Sequence, residues 1–208
     1  MISAFLDTAE AVSVLLRSPA LAKRWERPSA LDRFRVSGLA GHLARAVLNV
    51  DRWLAEAPPA GRPVVDAVTY FLAGAGPAPH LDDAVPLRIR EVGEQEAAEG
   101  PDALAEAFDA ARARLAARLP GMPLDRPVGV FTHVLPLDQC LLTRLVELVV
   151  HLDDLAVSLE VPTPSVPAEA TDAVTGCLTR LAVARHGCLP VLRALARHER
   201  ATGPISAF

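Results

Sequence analysis

Apolar residues recur through most of this chain at helical spacing, and proline and glycine mark where each run stops. Phe5, Val12, Leu15 and Leu16 predict a helix over residues 3–17, closed by Ser18-Pro19, with a second piece over Leu21–Trp25. Ser37 reads as the N-cap of a helix from Gly38 to about Ala57, with Leu39, Leu43, Val47, Val50 and Leu54 on its apolar stripe. Pro63 is placed to start a short helix over Val64–Leu72, ended by Gly74 and Gly76. Residues 77–86, which include His80, read as a loop. Leu87 to Leu119 form a long helical pattern that Gly100-Pro101 kinks or restarts. Residues 120–136 are rich in turn formers and leave room for an extended piece over Val128–Val134, with His133 in a loop. A helix then runs from about Leu137 to Leu159, and a last helical segment over 168–199 breaks near Gly187–Pro190. No internal repeat and no sustained strand alternation is present. Four major helices with proline-rich connections predict an all-α bundle over 1–160 and a short helical C-terminal extension over 161–208.

The helix over 137–159 is apolar almost all round, which marks it for the interior. Its polar interruptions are therefore informative. Arg144, Glu147, His151 and Asp154 are spaced three, four and three, and fall into one narrow column on a helix. Buried ionisable groups are costly unless partners or a metal satisfy them.

Composition narrows the setting. Across 208 residues, 51% are apolar and the net charge is −4, enough for a sizeable core and without the basic excess of a nucleic-acid binder. The three cysteines, Cys140, Cys177 and Cys188, lack metal-ligand spacing and fit a reducing compartment. The N-terminus carries acids early and no basic region, so no signal peptide is expected. No apolar run reaches the roughly 18 residues of a membrane span. A cytoplasmic protein is expected, with its oligomeric state open. Arginine almost to the exclusion of lysine (Lys23 stands alone) is the usage of a GC-rich genome.

Glu147 and His151 at i, i+4 are placed to ligate one metal, and three protein ligands with an open fourth position is the usual catalytic zinc arrangement. His42 is the histidine that falls within another predicted core helix, beside Gly38 and Ala46. The same spacing also describes an ordinary side-chain pair, a neutral core histidine, or a metal-free polar network that includes Arg144 and Asp154. The residues alone leave these open.

The run Ser37-Gly-Leu-Ala-Gly-His42-Leu-Ala-Arg, together with Arg144-Leu-Val-Glu147-Leu-Val-Val-His151-Leu-Asp-Asp154-Leu-Ala, resembles the mycothiol-dependent maleylpyruvate isomerase N-terminal domain, a member of the DinB-like superfamily of four-helix bundles. The resemblance covers roughly residues 3–160. It implies a divalent metal, usually zinc, held by His42, Glu147 and His151, with mycothiol, the low-molecular-weight thiol of actinobacteria, as cosubstrate and a small electrophile as its partner. The reaction class it implies is thiol transfer or isomerisation. Arg144 and Asp154 are then expected beside Glu147 and His151 respectively, or against the substrate. The isomerase has a separate α/β C-terminal domain, whereas residues 161–208 here read as helix without strands, so maleylpyruvate itself is not assigned. Two other readings stand beside this one. One is a non-catalytic bundle that binds a metal, ligand or partner, and the other a metal-dependent hydrolase.

Overall fold

The computed structural model describes residues 1–75, 83–201 and 203–208. The expected loop around His80 lies mostly outside the described residues. The chain is built of α1 (Ile2–Leu16), α2 (Pro19–Arg24), α3 (Val36–Ala55), α4 (Ala67–Ala75), α5 (Ala84–Glu96), α6 (Pro101–Arg118), β1 (Pro127–Val130), β2 (His133–Pro136), α7 (Leu137–Leu159), α8 (Ala168–His186), α9 (Cys188–Ala196) and a 3-10 turn over His198–Arg200. The fold is all-α, with one small hairpin among the described residues.

Helices α1, α3, α6 and α7 form the bundle, and α5 lies along α3. Their apolar stripes meet in one core, where Phe5, Leu39, Leu43, Phe108, Leu115, Leu141 and Leu148 are completely buried. A second core lies on the far side of α7. There Leu142, Leu145 and Val146 pack with Phe71 of α4 and with Ala170, Val174, Cys177 and Leu181 of α8. Burial on both sides explains why α7 is apolar nearly all round.

Several expected boundaries shift, each for a local reason. Ser37 is not the N-cap of α3. Val36 N donates to Arg27 O at 2.9 Å and Ser37 N to Trp25 O at 2.9 Å, so main-chain carbonyls satisfy the orphan donors, and the Ser37 hydroxyl instead donates to Glu94 Oε2 at 3.2 Å. Pro63 does not start a helix. Val134 N donates to Pro63 O and Val65 N to Val134 O, both at 3.0 Å, which lays residues 63–65 alongside β2. Helix α4 starts after Asp66, whose carboxylate accepts from Thr69 N at 2.7 Å, and it runs past Gly74. Gly100 (φ 93°) followed by Pro101 separates α5 from α6 outright, so the long pattern is two helices. The extended piece is a hairpin in which Val128 pairs with Leu135 and Val130 with His133, turning at Phe131. His133 therefore begins a strand. The late break is Gly187 alone (φ 84°), and Pro190 sits within the first turn of α9.

Candidate metal centre

The bundle sets α3 against α7, and this brings His42 to the polar column of α7. His42 Nε2 lies 3.1 Å from Glu147 Oε2, and His151 Nε2 lies 3.3 Å from the same oxygen. Three potential ligand atoms, one from each residue, lie within 4.8 Å of one another. The imidazoles meet edge to face, with centroids 4.8 Å apart. The three side chains keep 17–19% exposure, so the cluster is sunk in the bundle but not sealed from solvent.

His42 sits beside a close helix crossing. Gly38 and Gly41 on α3 face Gly93 on α5. A methyl group built on Gly41 would lie 2.1 Å from Gly93 O, and one on Gly93 would lie 2.5 Å from Gly38 O and 3.4 Å from the Cβ of His42. Backbone-to-backbone contact of this kind requires glycine on both helices. Ion pairs fasten the same crossing, as Arg45 and Arg52 of α3 reach Glu96 of α5 at 3.3 and 2.6 Å.

Asp154 stands where an orienting group is needed. Its Oδ2 is 2.8 Å from His151 Nδ1, so the carboxylate accepts a hydrogen bond from Nδ1–H and directs Nε2 at Glu147. Arg144 is placed differently. Its Nη2 is 3.9 Å from Glu147 Oε1, inside ion-pair range but too far for a hydrogen bond. The guanidinium instead donates to Thr143 Oγ1 at 3.2 Å and to the Tyr70 hydroxyl at 3.4 Å, and lies 5.6 and 5.8 Å from the ring centroids of Trp53 and Tyr70.

The metal-free electrostatics follow from these contacts. Burial disfavours the Glu147 carboxylate, but hydrogen bonds from His151 and His42 and the charge of Arg144 hold it well below the usual range. For His42 burial dominates over the attraction of Glu147 and lowers its pKa, so the ring is neutral. Burial opposes charge on His151 too. There the bonds to Asp154 and Glu147 win, and its pKa is raised to about 9. Two neutral-capable nitrogens and one ionised oxygen form a donor set for a borderline ion such as zinc, with the tautomer of one imidazole fixed by a carboxylate.

The family model of the mycothiol maleylpyruvate isomerase N-terminal domain matches residues 5–156. The chain belongs to that family. No curated protein and no solved structure matches it. Membership in the mycothiol maleylpyruvate isomerase N-terminal domain family points to a mycothiol-related, DinB-like metal-binding function, and the His42/Glu147/His151 group is one that could hold a metal ion.

The five polar residues of the cluster are visible in the sequence, but the aromatic rings around Arg144 and those that back them are not. Trp53 sits near the end of α3, Tyr70 in α4, and Phe131 and His133 in the hairpin. Trp53 meets Phe131 at 5.2 Å and Tyr70 meets His133 at 6.0 Å between centroids. These residues are far apart in the chain and meet only through tertiary packing, so no sequence signal marks them. Among the described residues no helix is long and apolar enough to cross a membrane.

Proposed function

We propose that the protein is a metal-dependent enzyme that joins a low-molecular-weight thiol, mycothiol in an actinobacterial host, to a small electrophile. His42, Glu147 and His151 are the metal ligands and zinc is the expected ion. The observation that carries this reading is the convergence of the three ligand atoms, with Asp154 holding the third residue by its far nitrogen. Bound there, a divalent metal would supply the positive charge that favours thiolate over thiol near neutral pH.

The chain's own residues do the rest. To ligate, His42 would present an unprotonated Nε2, and His151 would give up to solvent the Nε2 proton that Glu147 favours in the metal-free protein. Glu147 would contribute one negative charge, and Asp154 would keep the second imidazole from turning. The apolar surroundings supplied by α3 and α7 limit water around the reacting sulfur. In transfer, the thiol proton leaves to solvent, the sulfur forms a bond to the electrophilic carbon, and the leaving group departs with its electron pair. Residues 1–160 carry this chemistry in our reading. Residues 161–208 form an extension whose helix α8 buttresses the far side of α7. The protein works in the cytoplasm, where such thiols are held reduced.

The test is turnover of monochlorobimane with mycothiol by protein purified without chelator. Fluorescent conjugate should form only with thiol, protein and metal together, and should stop when a chelator strips the metal. Conjugation at the uncatalysed rate with mycothiol and with every other low-molecular-weight thiol tried would remove the transferase reading.

A further inference from the structure

Arg144 is the arginine of α7, and its side chain is 7% exposed. Its surroundings are neutral hydroxyls and aromatic faces: Thr143 Oγ1 at 3.2 Å, the Tyr70 hydroxyl at 3.4 Å, and the rings of Trp53 and Tyr70. Glu147 is the carboxylate that faces it, and it stands off at 3.9 Å because its other oxygen is turned to the two histidines. A guanidinium has five N–H donors in a planar fork suited to a carboxylate. Buried charge of this kind is normally matched by an anion at hydrogen-bond distance, and among the described residues none is in place.

The mismatch grows in the metal-bound protein, and on this point the inference rests on the proposed function. Glu147 would then serve the metal, which would leave Arg144 beside a dication without an anion of its own. Its position is one turn before Glu147, about 4.5 Å along the helix axis.

We infer that Arg144, assisted by the Tyr70 hydroxyl, is the anchor for a carboxylate carried by the small molecule that enters the centre. The favoured substrates are thus small carboxylic acids whose reacting or metal-facing atom lies a few bonds from the acid group. Cation–π attraction to Trp53 and Tyr70 and the bonds from Nε to Thr143 and from Nη2 to Tyr70 fix the guanidinium in place, and its remaining N–H groups would meet the ligand. The side chain fixes which molecules bind and how they lie, and takes no part in proton transfer.

The probes are 3-mercaptopropionate and its uncharged isostere 3-mercaptopropionamide, titrated calorimetrically into wild type, Arg144→Gln, Arg144→Met and Arg144→Lys. Metal content and thermal midpoint are measured on each preparation. Wild type should prefer the acid over the amide by about 10- to 100-fold, the worth of one charge-assisted hydrogen-bond pair. Arg144→Gln and Arg144→Met should lose that preference while keeping wild-type metal content, and Arg144→Lys should keep part of it. Equal affinity of wild type for the two probes would overturn the anchor. So would an undiminished preference in Arg144→Gln, or loss of metal from every Arg144 variant in parallel with the preference, which would make the residue a strut of the centre. Wild type that holds no metal yet still selects the acid through Arg144 would refute the metal reading and leave the anchor standing.

Discussion

Adding one methyl group at Gly41 tests how the centre is positioned. The new Cβ would lie 2.1 Å from Gly93 O and 3.2 Å from the Cβ of Ala97. Relieving the first contact to an ordinary carbon–oxygen separation requires α3 and α5 to part locally by about 1 Å, in an interior that is close-packed and yields little. Overpacking of this kind costs about 1–3 kcal/mol, which in a chain of this length lowers the thermal midpoint by roughly 2–12 °C. His42 is the next residue, so the displacement also moves a proposed ligand. Gly41→Ala should therefore lose stability and metal affinity together. Gly176→Ala is the matched control. That glycine is on the exposed face of α8 with nothing within 4 Å of an added Cβ, and the change should add up to about 1 kcal/mol through helix propensity. Urea denaturation of the two variants, with zinc affinity measured by chelator competition, separates them. Wild-type stability for Gly41→Ala would refute the close backbone contact between α3 and α5.

Asp154→Asn should leave the fold intact and weaken metal binding by about 10- to 100-fold, because the carboxylate that fixes His151 is lost; chelator competition reads this directly, and unchanged affinity would show Asp154 to be dispensable. Acid sensitivity should follow Glu96 and Asp109. Burial raises both, but Arg52 and Arg45 for Glu96, and Ser13 with Arg17 for Asp109, outweigh it and lower their pKa values. Their stabilisation is then complete above the unfolded values of about 4 and is lost as pH falls through the lower folded ones, so the double variant Glu96→Gln/Asp109→Asn should show a flatter fall in thermal midpoint below about pH 4.5 than wild type. Native thiol titration should detect one fast-reacting cysteine, the exposed Cys188, while Cys140, buried and with its pKa raised to about 12, and buried Cys177 react only on unfolding; three fast thiols would contradict the packing of α7 and α8.

The sequence carried the helices well because the bundle is made of long amphipathic repeats, and α1, α3, α6 and α7 lie close to where Phe5, Leu43, Leu115 and Leu148 predict. Boundaries failed where tertiary partners replaced local ones. Ser37 looked like a cap, yet the carbonyls of Arg27 and Trp25 supply the capping bonds. Pro63 looked like a helix start, yet pairing with Val134 holds it extended. Within the site, Glu147, His151 and Asp154 were legible together because a single helix fixes their spacing. His42, about a hundred residues earlier, was reachable through its place on an apolar helix and through the family resemblance. Gly93 and Tyr70 were not legible. The need for glycine on α5 exists only once α3 lies against it, and Tyr70 meets Arg144 only through the docking of α4 on α7.

Metal content is the measurement on which the account turns. Protein expressed in zinc-supplemented medium and purified without chelator, then analysed by inductively coupled plasma mass spectrometry, should carry about one divalent ion per chain. The His42→Ala and Glu147→Gln variants, shown to be folded by circular dichroism, should carry little. Metal-free wild type that cannot be reconstituted with zinc, nickel or manganese, or undiminished metal in His42→Ala, would contradict the centre and the function built on it.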